Sequence, residues 1–501
     1  MKTHLLYRNR DFDWEQTLPS NHEALIQDLS LGTILNAMSG GDDYILEVSK
    51  RVMLAGVGDD LETIQFRQSV LKDCLQNSAV IGKMYDLAVD ANERKRKQWF
   101  GVLSKSPGGI LSGAVELLQV LIDILGKLRV VARENSRKFQ SEGFITFFQM
   151  IEAELPDDYF EKVKTYLREL KFPEGVLVSA QLGEHMEATG HTLRRTTKAK
   201  PKFFQRVFSE GPPSYTFKIN DKDDAGAKAI AELRDRGINV VANAVSQSAE
   251  HIMSFFAMLR AELGFYVGSV NLHGRLSQQG QPISFPIPAP MGSRKHTCTE
   301  LRDASLALTV GKEITGNDLQ ADGKDLFMIT GANQGGKSTF LRATGLAQVM
   351  MQCGMFVTAQ TFNVALCRQI YTHYTREEDV TMKSGKFDEE LRRMSAIVDS
   401  LAPDSVVLFN ESFAATNERE GSEIGRQIVQ ALLEARIKVF FVTHLYELSH
   451  GFWKENQQNA LFLRAERQAG GKRTFKLLPG EPLQTSFGAD LYHEIFGASA
   501  N

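Results

Sequence analysis

The nine residues GANQGGKST, Gly331 to Thr339, constrain this chain more than any other stretch. They fit the spacing GxxxxGK[S/T], follow the apolar run DLFMIT, and open KSTFLRATGLAQVM, whose apolar residues recur at helical spacing. Strand, glycine-rich loop and helix in that order predict an α/β domain built around a phosphate-binding loop. Glycines let consecutive backbone N–H groups converge on phosphate oxygens, and the helix start adds a favourable dipole. The cofactor-binding set is therefore Gly331, Ala332, Asn333, Gln334, Gly335, Gly336, Lys337, Ser338 and Thr339. Within it Lys337 brings a charge to the β- and γ-phosphates and the Ser338 hydroxyl is a ligand for Mg²⁺, so ATP and Mg²⁺ are the expected cofactors.

Further along, the run SVVLF predicts a neighbouring strand that ends in Asn410 and Glu411. A metal-side residue followed by a carboxylate is the pattern of a nucleotide hydrolase, with Glu411 polarising the attacking water as general base. The metal-side position carries Asn410 where an Asp would bring a full charge, so hydrolysis is expected to be retained but slow. A third buried strand, KVFFVTH, ends at His444, placed to hydrogen-bond the γ-phosphate. The catalytic set is Glu411, His444 and Lys337; Ser338 and Asn410 form the metal set. The segments MFVTA, Glu389 to Ser400 and Gly421 to Ala435 extend the alternation of strands and helices, which indicates a parallel or mixed sheet covered on both faces.

Upstream the texture differs. From about Ile34 to Leu170 apolar residues recur at three and four, the pattern of a multi-helix region. EGVLVSAQLG and SYTFKI, bounded by Gly and Pro, read as short strands, and helical periodicity returns from about Asp223. The proline-rich QPISFPIPAPMGSRKH marks a boundary before the α/β part. With 501 residues the chain exceeds a single core and suggests roughly two to four domains. In AVELLQVLIDILGKLRVV the residues Glu116, Gln119, Asp123 and Lys127 form one polar stripe, which describes a largely buried helix and gives no case for a membrane partner. The formal charge of -3 makes no global case for nucleic acid, so any such contact must be local. Four scattered cysteines and a start without an apolar core favour a cytoplasmic setting.

Four stretches in order, GANQGGKSTFLR, FNESFAATNEREG, VTHLYELS and LLPGEPLQTSFGADL, resemble the ATPase motifs of the MutS DNA mismatch-repair family. That resemblance covers roughly Phe285 to Gly497, and more weakly the upstream LGTILNAMSGGDDYILEVSKRVML and IQFRQSVLKD, which look like the family's helical core and lever. It implies an α/β P-loop ATPase domain of the ABC type, following a mainly α-helical domain that carries a small strand-containing insertion. The implied arrangement is an N-terminal segment over 1–30, helical core and lever over 31–170, a basic insertion over 171–221, helical core continued over 222–284, and the ATPase domain over 285–501. It also implies a homodimer that sandwiches each nucleotide, with Ser384 and Gly385 of MKSGKFDEEL matching the signature that contacts the partner's γ-phosphate. About thirty residues precede the helical core and contain no Phe-x-Glu wedge, so mismatch reading by the family's usual route is not expected.

The insertion carries RRTTKAKPKFFQR, in which Arg194, Arg195, Lys198, Lys200, Lys202 and Arg206 cluster with Phe203 and Phe204. Such a segment suits either sequence-independent contact with duplex or branched DNA, or a solvated loop anchored by its aromatics. The expected function is thus an ATP-hydrolysing, DNA-binding dimeric clamp of the mismatch-repair type. The alternative is a nucleotide-gated dimeric scaffold with negligible ATPase activity. An ABC transporter subunit is disfavoured because the LSGGQ string is absent.

Overall fold

A computed structural model describes residues 1–56, 58, 60–99, 106–173, 175–195, 215–216, 218–220, 222–376, 385–468 and 473–484. The first helices are α1 (His22–Asp28), α2 (Leu31–Ser39), α3 (Asp43–Ala55), α4 (Leu61–Gln76), α5 (Ser78–Trp99), α6 (Pro107–Asn135), α7 (Glu142–Glu154) and α8 (Asp157–Glu169). A hairpin of β1 (Leu177–Leu182) and β2 (Ala188–Arg194) precedes the long α9 (Asp224–Gln278). The α/β part then runs β3 (Ile287–Ala289), β4 (His296–Leu301), α10 (Ala304–Val310), β5 (Asn317–Gln320), β6 (Leu326–Gly331), α11 (Lys337–Gln352), β7 (Thr361–Ala365) and β8 (Ile370–Tyr374). It ends with α12 (Lys386–Ser400), β9 (Val406–Asn410), α13 (Glu418–Glu434), β10 (Lys438–Val442), α14 (Tyr446–Lys454), β11 (Ala460–Arg467) and β12 (Arg473–Pro479). The chain falls into two compact units, one of Met1–Thr3, Gly82–Arg137 and Thr146–Arg260, the other of His4–Ile81, Lys138–Ile145 and Ala261–Asn501.

The second unit is organised by a sheet of order β12-β11-β6-β10-β9-β8, parallel throughout except for the antiparallel edge strand β12. Its central strands are continuous apolar runs because both faces are covered. On one face Met328, Val407, Phe409, Val439 and Phe441 pack with Val429, Leu432, Leu448 and Phe452 from α13 and α14. On the other, Phe327 stacks on Phe440 with ring centroids 4.1 Å apart, and α11 is buried along its length. Each such fully buried apolar side chain contributes roughly 1.5–3 kcal/mol. A second, four-stranded sheet of order β3-β7-β4-β5 lies in the same unit.

The N-terminal segment is bound into this unit. Leu5 N donates to Glu262 Oε2 at 2.6 Å, Tyr266 donates to Leu5 O at 2.6 Å, and Arg67 Nε donates to Leu6 O at 3.0 Å. Asn21 Nδ2 then donates to Ile370 O at 2.6 Å, and α1 packs along β8, so the open edge of the sheet is covered. In the first unit α6 buries Leu111, Leu118, Leu121, Ile122, Leu125 and Leu128, and leaves Glu116, Asp123 and Lys127 exposed with Gln119 half-buried. The polar stripe expected from the sequence is therefore the exposed face of this helix, which is long and apolar enough to span a membrane by length and composition alone.

Two expected strands are corrected. The partner of β1 is Ala188–Arg194, reached through a tight turn in which Gly183 N donates to Glu187 O at 2.8 Å. In SYTFKI the described residues are not strand, and Tyr215 is 90% exposed. In MFVTA the residues are buried, but Val357 makes only an isolated bridge with Ser284, and the strand forms later as β7. Burial without a continuous pairing partner leaves an apolar run outside the sheet.

Candidate functional site

The glycine-rich loop joins β6 to α11 at the C-terminal edge of the parallel sheet, where helix N-termini and strand ends converge. Gly331 has φ 109°, and a Cβ there would sit 2.9 Å from the Ala465 backbone nitrogen, so its place beside β11 requires glycine. Gln334 adopts φ 57°, and its side-chain oxygen accepts from Arg473 Nη1 at 3.1 Å. Lys337 is 6% exposed, and its ammonium donates to Gly331 O at 2.9 Å and Ala332 O at 3.1 Å. Burial lowers its pKa, Glu411 opposes that shift, and Arg473 adds to it.

Strand register brings the second and third motifs to the same edge. Tyr374 of β8, Asn410 of β9 and Val442 of β10 lie side by side, and Val442 pairs with Ile329 of β6. Ser338 donates to Asn410 Oδ1 at 2.7 Å, which joins the two residues assigned to the metal. Glu411 follows at φ 55°, with its N–H donating to Val442 O at 2.9 Å and its carbonyl accepting from Thr375 Oγ1 at 2.6 Å. Its Oε2 lies 2.5 Å from His444 Nδ1, and this hydrogen bond raises the histidine pKa against the opposing effect of burial. His444, expected at the γ-phosphate, is here the hydrogen-bond partner of Glu411. An Nδ1–H imidazole in that position orients Glu411, and its protonated form also offsets the carboxylate charge.

Beside the loop lies a cavity of about 490 Å³, lined by Leu306, Ile314, Asn317, the residues Gln334 to Phe340, and Phe475. Phe475 is 49% exposed and held at φ 60°. The Asn317 side chain fixes this segment by donating to Phe475 O at 3.2 Å and accepting from Leu477 N at 2.7 Å. An aromatic face next to a phosphate loop can cover the base of a nucleotide. Neither Phe475 nor Asn317 is flagged by the sequence, where the one available signal is an aromatic between basic residues in KRTFK.

The remaining assigned residues belong to other elements or are not described. Gly385 is exposed at the start of α12, where an added Cβ would meet none of the described residues within 4 Å, while Ser384 lies outside the described residues. Arg194 and Arg195 belong to the other unit: Arg194 Nε donates to Ser179 Oγ at 2.9 Å, and Arg195 pairs with Glu169 at 2.6 Å, which raises its pKa. Lys198, Lys200, Lys202 and Arg206 lie outside the described residues, as do Phe203 and Phe204.

Two family models match the chain: the MutS2 N-terminal domain over residues 59–279 and MutS domain V over residues 327–493. Over 411 residues the chain is 22% identical to MutS protein homolog 4 of Homo sapiens, covering 80% of this chain and 41% of that protein. It is 33% identical over 180 residues to the DNA mismatch repair protein MutS of Thermus aquaticus, covering 36% of this chain and 22% of that protein. It is 26% identical over 240 residues to the Endonuclease MutS2 of Lactobacillus helveticus (strain DPC 4571), covering 46% of this chain and 30% of that protein. The chain thus spans 22% to 41% of the length of these three relatives.

Proposed function

The chain belongs to the MutS family, and on that premise we propose that it is a DNA-binding ATPase of the mismatch-repair type, acting as a nucleotide-gated dimeric clamp with an ABC-type P-loop domain. The observation that carries this reading is the meeting of Ser338 with Asn410, and of Glu411 with His444, at the edge of adjacent parallel strands. MutS-family proteins are ATPases that use Mg²⁺, and the residues here suit that ion. The Ser338 hydroxyl and the Asn410 amide are neutral oxygen donors beside a phosphate loop, and hard oxygen donors in small number match an ion that keeps several waters. Mg²⁺ held by Ser338 and Asn410 would offset the charge of the phosphate oxygens. Lys337 holds those phosphates, Phe475 covers the base, and Glu411, aimed by His444, takes the proton of the attacking water.

Phosphate release and anisotropy with labelled duplex, mismatched and branched DNA test the proposal. ATP turnover is expected, together with DNA affinity that falls as salt rises and differs between ADP and ATP. Absence of DNA binding with either nucleotide overturns the clamp. Asn410 favours one second reading, a dimeric scaffold with negligible hydrolysis, which turnover lost in a Glu411 variant excludes.

The Asn410 amide oxygen accepts from Ser338 as a carboxylate would, but it brings no charge to the ion. A carboxylate about 4 Å from a dication gains several kcal/mol before desolvation is subtracted. Asn410→Asp is therefore expected to tighten apparent Mg²⁺ affinity by about tenfold and to raise turnover. A magnesium titration of phosphate release checks this, and unchanged half-saturation and rate would remove Asn410 from the metal set.

A further inference from the structure

The turn that carries Glu411 has a backbone shape that most residues avoid. Glu411 lies at φ 55° and Phe413 at φ 64°, and left-handed backbone at non-glycine residues persists only where neighbours fix it. Gly421 of α13 contributes by omission, since a Cβ there would fall 2.2 Å from Phe413 O. Two buried side chains from other elements close on the residues that follow Glu411. Glu390 of α12, 1% exposed, accepts from Phe413 N at 3.1 Å through Oε2. His373 of β8, 0% exposed, has Nε2 at 3.0 Å from the Glu390 carbonyl and Nδ1 at 2.8 Å from Ser412 Oγ.

The protonation pattern follows from those partners. A carbonyl only accepts, so Nε2 carries the hydrogen. Burial pushes the His373 pKa down to about 4, so the ring is neutral and Nδ1 faces the Ser412 hydroxyl, whose single hydrogen is shared between Nδ1 and His373 O, the latter 2.5 Å away. The imidazole therefore links α12 to the residue next to Glu411, and the Glu390 carboxylate holds the residue after that. Helix α12 begins directly after Gly385, the residue assigned to the partner's nucleotide.

We propose that Glu390 and His373 are positioning residues that set the aim of Glu411 and make hydrolysis depend on the seating of α12. This regulation rests on the ATPase reading above. A merely structural role would lower stability and nucleotide binding together, whereas loss of aim lowers kcat alone.

Glu390→Met keeps the volume and removes the acceptor; His373→Phe keeps the stacking on Phe413, whose centroid is 5.4 Å away, and removes both ring bonds. Each is expected to cut kcat by about 30-fold or more while MgATP affinity, by calorimetry, stays within about twofold. Glu390→Gln, whose amide oxygen accepts from Phe413 N, is expected to keep kcat within about threefold of wild type. If one lesion fails to fold, the other decides. Wild-type turnover no greater than that of Glu411→Gln overturns the ATPase reading and this inference with it. Wild-type turnover that survives in both lesions, falls equally in Glu390→Gln, or falls only in step with ATP affinity overturns this inference alone.

Discussion

Glu411→Gln is expected to bind MgATP within about threefold of wild type and to hydrolyse it at least about 100-fold more slowly, the range a positioned general base supplies. The substitution keeps an oxygen toward His444 Nδ1, now 2.5 Å from Glu411 Oε2, and leaves the backbone bonds to Val442 and Thr375 untouched. What it removes is basicity at the one carboxylate that follows the metal-side strand end. Single-turnover phosphate release and calorimetric titration of MgATP separate the two effects. Equal turnover in wild type and variant would take the general base away from Glu411. A parallel loss of affinity would show that its charge serves binding, through the attraction that opposes the lowered Lys337 pKa. The same experiment decides between an enzyme and a nucleotide-gated scaffold, because only the former has turnover to lose.

What could be read in advance was set by local pattern. β6, its loop and α11 form one continuous stretch in which apolar run, glycine spacing and helical period agree, and that consistency made the site's centre legible. β9 and β10 were legible because strands buried on both faces are apolar throughout, and the polar residues at or just past their ends, Asn410 and His444, then stand out. β4, β5 and β12 are partly exposed and mix Thr, His, Lys and Asp, and the buried β8 carries Thr and His in its middle, so periodicity alone does not separate them from loops.

The supporting residues were hidden for a different reason. Asn317 reaches Leu477 across 160 positions, and His373 reaches Ser412 across 39, and pairings at such separations arise only from tertiary contact. The bond between His444 and Glu411 was hidden likewise: Glu411 was assigned to the attacking water and His444 to the γ-phosphate, because sequence spacing carries no information on which side chains face each other at adjacent strand ends.

Lys337→Ala is expected to weaken MgATP binding by about 100-fold or more, beyond the effect of ordinary surface lysines, because the ammonium is already out of water. At 6% exposure and bonded to Gly331 O and Ala332 O, it has lost its hydration on folding, so an arriving phosphate meets a charge held in place. Burial lowers its pKa, and an anion placed beside it opposes that shift, so nucleotide binding and lysine protonation reinforce each other. The variant also leaves two loop carbonyls without their donor, yet it relieves a buried cation, and these opposing changes should leave stability within about 1–2 kcal/mol of wild type. Calorimetry with MgATP and urea unfolding check the pair of expectations. Wild-type affinity in a folded Lys337→Ala would remove the loop from phosphate binding. A large loss of stability would make the lysine a strut of the loop, with its bonds to Gly331 and Ala332 as its purpose.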